Sequence, residues 1–248
     1  MKIKCRIIGF DLDGTLLNSE KHIAEHTREV LTRAVEQGIW ILPVTGRPLG
    51  GLPKEVVEFP GVQYAITANG ARIMETQTGG CLYERLVPVK TAEQIMEIFS
   101  DYDALREVYY GGKGYAEAEE FSRVGEYMRS PQMAAYVRAT RTPVPDILQL
   151  IREKGQDTDK VQGVFKIDEE RTEARKRLEA VEGIEVTGAL SNNIEVNAAG
   201  VDKGNAILWF ADHLGIPHEE VAGFGDGNND IQLLKKAGIG VAMANAIR

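Results

Sequence analysis

Residues 7–18 read IIGFDLDGTLLN, an apolar run that ends on Asp11 and Asp13 and then turns at Gly14. The run Arg6-Ile7-Ile8-Gly9-Phe10 has the character of a strand entering a core, where an unpaired carboxylate is costly. The two aspartates are therefore expected outside the buried sheet, where the strand emerges into a cleft. Taken alone they fit an Asx turn as well as they fit chemistry.

Two further strand ends carry polar clusters. The run IWILPV (39–44) ends on Thr45-Gly46-Arg47, and VAGFGDGNND (221–230) ends on Asp226, Asn229 and Asp230. Between the first two strands, Ile23, Val30, Leu31, Ala34 and Val35 recur at helical spacing up to a stop at Gly38. Residues 62–67 (VQYAIT) predict a third strand, and Asn69-Gly70 a hairpin turn. Lys203 opens a helix over 203–214, with Asp202 as its N-cap and Ala206, Ile207, Phe210, Ala211 and Leu214 on one face. A helix over 230–237 and a strand in GIGVAMA (238–244) follow.

Strands separated by helices predict a parallel sheet, and in such sheets ligands bind beyond the carboxyl ends of the strands. Asp11, Asp13, Thr45, Asp226 and Asp230 would converge there, and Lys203 can reach the same edge. Four aspartates against one lysine leave three negative charges. An all-oxygen donor set favours Mg²⁺, which takes a substrate phosphate oxygen as a ligand. Asp11 could then attack phosphorus while Asp13, pointing along a different direction, transfers protons. Thr45 and the Gly46 amide could hold the remaining phosphoryl oxygens. Arg47 reads as a strand-end surface arginine or a rim contact to substrate.

The composition is that of a globular protein: 248 residues, 43% hydrophobic and 27% charged, with a net charge of −8. That charge argues against nucleic acid and anionic membranes as partners, since both want positive charge. Asp11 interrupts the early apolar stretch, and no charge-free run approaches the about 18 residues of a membrane span. The expected address is cytoplasmic. Cys5 and Cys81 are expected as free, partly buried thiols, and the four histidines as solvated.

Residues 83–188 are more charged. Helices are predicted near 91–101, 146–154 and 169–181, and strands near 105–118, 161–167 and 184–187. This predicts an α+β unit over 83–188 inserted into an α/β core of residues 1–82 and 189–248. Lys113, Arg123, Arg129, Arg138 and Arg141 read as a solvated face of that unit, with one or two free to recognise an anion. Nothing in the sequence speaks to oligomeric state.

Taken in order, FDLDGTLLN, VTGRP, VDKG and GFGDGNND resemble the four motifs of the haloacid-dehalogenase-like (HAD) hydrolases. TANGA and SNNIEVNAAGVDKG look like the Cof-type branch, whose inserted cap is α+β. The resemblance covers the core closely and the cap only in length and position. It implies a Rossmann-like, doubly wound, mainly parallel sheet with a cap that closes over the cleft and selects substrate. It further implies Asp11 as nucleophile and metal ligand, and Asp13 as acid/base and metal ligand through its backbone carbonyl. Thr45 and Lys203 would bind the transferring phosphoryl group and Asp226 the metal. Asp230 would act on the metal from a second position while orienting Lys203, and Asn229 would lie close to the phosphate. By position, Asn69 is a candidate contact with the cap. The segment VAMANAIR (241–248) is shorter than the family pattern, which bears on edge coverage more than on chemistry.

The function expected is a Mg²⁺-dependent phosphatase acting on a small phosphate ester such as a sugar phosphate. The alternatives are a phosphomutase on the same core, a phosphoacceptor receiver domain, and a catalytically idle sugar-phosphate-binding module. The hundred-residue insertion disfavours the receiver, and retention of Asp13 and Lys203 disfavours the idle module.

Overall fold

The period-two alternation of β1 (Ile7–Phe10) sends its side chains to two different sets of helices. Ile7 packs into one apolar cluster with Ala206, Ile207 and Phe210, whereas Phe10 joins another with Leu31, Val56 and Phe59. The computed structural model describes residues 4–188 and 190–247.

After β1 the chain forms α1 (Glu25–Glu36), β2 (Trp40–Pro43), α2 (Lys54–Val57), β3 (Tyr64–Thr67), β4 (Arg72–Glu75) and β5 (Cys81–Glu84). Then come α3 (Val89–Ser100), β6 (Ala104–Tyr110), β7 (Lys113–Glu117), α4 (Ala118–Ser122), α5 (Val124–Tyr127) and α6 (Pro131–Thr140). β8 (Arg141–Val144), α7 (Ile147–Lys154), β9 (Lys160–Phe165), α8 (Asp168–Leu178), β10 (Ile184–Thr187) and β11 (Asn193–Ala198) follow. The last elements are α9 (Lys203–His213), β12 (Val221–Gly225), α10 (Ile231–Lys236) and β13 (Ile239–Ala242).

The chain divides into two units, Met1–Glu84 with Val201–Arg248, and Arg85–Gly200. In the first, a parallel sheet runs in the order β13-β12-β1-β2. A Val44–Ile66 bridge joins β3 to its edge, and β3-β4-β5 continue antiparallel. Helices α9 and α10 cover one face and α1 and α2 the other, as the two apolar clusters show. This is the doubly wound α/β core. Strand order reverses between β1 and β12, the switch point where such sheets open a ligand crevice.

The second unit is built on a six-stranded sheet, β10-β11-β9-β6-β7-β8, antiparallel except for the β7–β8 pair. Its second boundary, expected after residue 188, falls after residue 200. The reason is β11, whose six wholly buried residues ladder with β9 and β10 rather than returning to the core. Of the helices α4, α5 and α6, absent from the sequence reading, α5 and α6 bury Val124, Tyr127, Ala134 and Val137 against Leu105, Ala116 and Val164, and α4 packs Phe121 on the same cluster. Ser130 caps α6 by accepting from the Met133 amide at 3.2 Å, with Pro131 in its first turn.

Arg141 is not on a solvated face: only 5% of its side chain is exposed, and its Nε lies 3.2 Å from Glu107 Oε1. Glu107 also accepts from Tyr109 Oη at 2.5 Å and Gln162 Nε2 at 2.9 Å. Cys5 is half-buried and Cys81 is exposed rather than partly buried; both are free. Among the described residues no helix is long and apolar enough to cross a membrane.

Candidate active site

Lys203 begins α9, held there by Asp202, whose carboxylate caps the helix by accepting from the Asn205 amide at 2.7 Å. Its side chain is wholly buried, which an ammonium tolerates only when paired. The partners are Asp11 Oδ1 and Asp230 Oδ1, each 2.6 Å from Nζ. Burial opposes the charge, but the two carboxylates outweigh it and raise the lysine above its ordinary range. Asp11 leaves β1 with its amide donating to Phe224 O at 3.0 Å, so β12 fixes its height at the sheet edge. It is 8% exposed, not free of the core as expected. Burial pushes its carboxyl up to about 6, against the pull of Lys203 and with the repulsion of Asp230 and Asp13.

Asp230 is organised by the turn it belongs to. Its Oδ2 accepts from the amides of Asp226 at 3.0 Å and Gly227 at 2.8 Å. Asp226 accepts from Thr15 Oγ at 2.7 Å and from Asn245 Nδ2 at 3.1 Å. The close fit explains Gly14, at φ +88°: a Cβ there would stand 2.3 Å from Asp226 Oδ2. One carboxylate oxygen from each of Asp11, Asp226 and Asp230 falls within 4.8 Å of the others. Against Lys203 these three leave two negative charges, the amount one divalent cation neutralises. The donors are hard oxygens, so the set fits Mg²⁺.

Asp13 lies outside that cluster. Its carboxylate accepts from Arg47 Nε (2.9 Å to Oδ2) and Nη2 (2.8 Å to Oδ1, 2.7 Å to Oδ2), and from Lys21 Nζ (2.8 Å to Oδ1). Partial burial works against ionisation, but these cations prevail and hold the carboxyl below its ordinary range. Its charge is therefore already offset and does not enter the sum above.

The loop after β2 forms the other wall. Thr45, 2% exposed, donates its amide to Ile66 O at 2.9 Å, and its Oγ accepts from the Arg47 amide at 3.1 Å. Asn69, in a left-handed conformation at φ 61°, is buried within this same unit. Its Oδ1 accepts from Asn229 Nδ2 at 3.2 Å and lies 2.7 Å from where a Gly46 Cβ would be. So Gly46, Asn69 and Asn229 form one contact set beside Thr45. Lys21, Thr15 and Asn245 are the polar neighbours the sequence reading missed. Thr15 sits inside the DGT motif, but no spacing signals Lys21 or Asn245.

The strand ends of a doubly wound sheet thus gather three carboxylates, a buried lysine, a threonine and an aspartate gripped by an arginine. The chain belongs to the haloacid dehalogenase-like hydrolase family, whose pattern matches residues 8–248, and it is an enzyme of that family's phosphatase group. Two relatives illustrate the likeness. The 5-amino-6-(5-phospho-D-ribitylamino)uracil phosphatase YcsE of Bacillus subtilis is 28% identical over 98% of this chain and 86% of its own length. Pyridoxal phosphate phosphatase YbhA of Escherichia coli is 26% identical over 97% and 88%. Among solved structures, a haloacid dehalogenase-like hydrolase from B. subtilis superposes with a TM-score of 0.85 at 28% identity, covering 98% of this chain and 90% of that one.

Proposed function

We propose that the protein is a Mg²⁺-dependent phosphomonoester hydrolase that acts on a small soluble phosphorylated metabolite, a sugar phosphate or a molecule of similar size. The observation that carries the reading is Lys203, buried and shared between Asp11 and Asp230 with Asp226 alongside.

In this reading an Asp11 carboxylate oxygen attacks phosphorus and forms an aspartyl-phosphate. Asp13 gives a proton to the departing alkoxide as its bond to phosphorus breaks. Asp13 then takes a proton from the water that attacks the aspartyl-phosphate, which releases inorganic phosphate and restores Asp11. Thr45 Oγ, the Gly46 amide and Asn229 Nδ2 hold the phosphoryl oxygens, and Lys203 offsets their charge. Asp11, Asp226 and Asp230, with the backbone carbonyl of Asp13, are the residues that would hold Mg²⁺. When bound, the ion supplies Lewis-acid stabilisation of negative charge on the phosphoryl group.

The substrate class rests on relatives named for small phosphomonoesters, a phosphoribitylaminouracil and pyridoxal phosphate. Selection among such molecules is assigned to the inserted unit, Arg85–Gly200. The free thiols Cys5 and Cys81 support a cytoplasmic address.

Asp11→Asn should abolish Mg²⁺-dependent release of p-nitrophenol from p-nitrophenyl phosphate while the far-ultraviolet circular dichroism stays unchanged. Full turnover in that variant excludes the mechanism. A phosphate-release panel of sugar phosphates, nucleotides and cofactor phosphates, with and without Mg²⁺, identifies the substrate. A requirement for a bisphosphate activator would mark a mutase instead.

A further inference from the structure

Resting on the acid/base reading of Asp13, we propose that Arg47 is a positioning residue that fixes the Asp13 carboxylate for leaving-group protonation, and that Lys21 is a second, displaceable arm.

A carboxylate offers about four acceptor positions, and in this structure four are taken. Arg47 Nε and Nη2 both reach Oδ2, while Arg47 Nη2 and Lys21 Nζ both reach Oδ1. A fully engaged carboxylate has no place for the proton it must deliver, so one arm has to yield. The two arms differ in how they are held.

Arg47 is tied at both ends. Its backbone amide donates to Thr45 Oγ at 3.1 Å and its carbonyl accepts from the Ala68 amide at 3.1 Å. Beyond the Asp13 contacts its Nη1 donates to Gly51 O at 3.1 Å, and only 18% of the side chain is exposed. The planar fork also sets the orientation of the carboxylate, which a point charge does not. Lys21 is 56% exposed and reaches Asp13 from a surface turn, itself in a left-handed conformation at φ 65°. Its flexible stem can leave at little cost.

Arg47 therefore keeps Oδ2 and one position on Oδ1, and Lys21 withdraws from the other position on Oδ1. Oδ1 is then the atom that carries the proton and passes it to the ester oxygen as the oxygen–phosphorus bond breaks. This makes Arg47 a support of Asp13 rather than a contact to substrate.

A leaving-group comparison tests this. A substrate with an alkoxide leaving group needs the proton, and 2,4-dinitrophenyl phosphate does not. The readout is kcat/KM, which covers the steps through departure of the leaving group. The alkyl phosphate is the one turned over fastest in the panel above. Arg47→Met should lower kcat/KM about 100-fold on the alkyl ester but less than about threefold on the dinitrophenyl ester. Arg47→Lys, which keeps a cation and loses the fork, should show the same split at about tenfold and serves if the methionine variant does not fold. Lys21→Met should cost less than about threefold on either ester.

Equal losses on both esters, or no loss at all, overturn the positioning role. A rise in KM with kcat unchanged overturns it in favour of direct substrate contact. A larger split for Lys21→Met than for Arg47→Met overturns the assignment of anchor and arm. Asp13→Asn separates the two levels. If it shows no split, the acid reading of Asp13 has failed; if it splits and Arg47→Met does not, only the proposal has failed.

Discussion

Lys203 is the residue on which the site balances, because its buried ammonium is shared by the carboxylates of Asp11 and Asp230. Breaking a buried ion pair by removing one partner leaves the other charge uncompensated and costs about 3–5 kcal/mol. Lys203→Met should therefore lower the free energy of unfolding by about 3 kcal/mol at neutral pH, read from urea titration. Loss of activity with unchanged stability would show that the carboxylates are not held by it. The sequence made Asp11, Asp226, Asp230 and Lys203 legible, since each follows or opens an element with clear periodicity. It left Lys21 and Asn245 invisible. Their roles depend on where a turn and a distant segment come to rest, and no local spacing encodes that.

The strands of the inserted unit carry their own ionic framework. Asp103, just before β6, accepts from Tyr127 Oη at 2.5 Å and pairs with Lys166 Nζ at 2.8 Å, just after β9. These contacts, with Lys166 foremost, hold its carboxyl below its ordinary 3.8. A carboxyl depressed in the folded state adds stability above the unfolded pKa and loses it as pH falls through the folded value. Asp103→Asn should therefore be less stable than wild type at pH 7, and the difference should narrow as the pH falls below the ordinary 3.8, as urea midpoints across pH would show.

Glu107, wholly buried on β6, serves three donors at once. Glu107→Ala strands the Arg141 charge and should cost about 3–5 kcal/mol, measurable in the same titration. None of this was readable beforehand. Arg141 looks like any basic surface residue until β8 aligns beside β7 and turns it inward. The missed helix α6 is different: Ser130-Pro131 is an ordinary start signal that the charged surroundings obscured.

For the molecule as a whole, the alternation of strands and helices was enough to foresee a parallel core interrupted by a second unit. The second boundary was misread because SNNIEVN runs straight into the VDKG motif, and a buried strand gives no sign of which sheet it will join. The two ends of the insertion lie together: a Cβ on Gly200 would stand 3.3 Å from the Arg85 guanidinium carbon. Units with adjacent ends and separate cores tend to fold independently. Residues 85–200 expressed alone should show a cooperative thermal transition with a native-like α+β circular dichroism spectrum. A non-cooperative melt would mean that the unit depends on the core.

The contact between Lys203 and Asp11 spans 192 positions of sequence, with the whole inserted unit threaded between its partners. A chain leaving the ribosome presents Asp11 early and must finish an entire intervening unit before the matching cation exists. During that interval Asp11 stands without the counter-charge it has in the finished fold. The pair is therefore completed only when both distant segments have emerged.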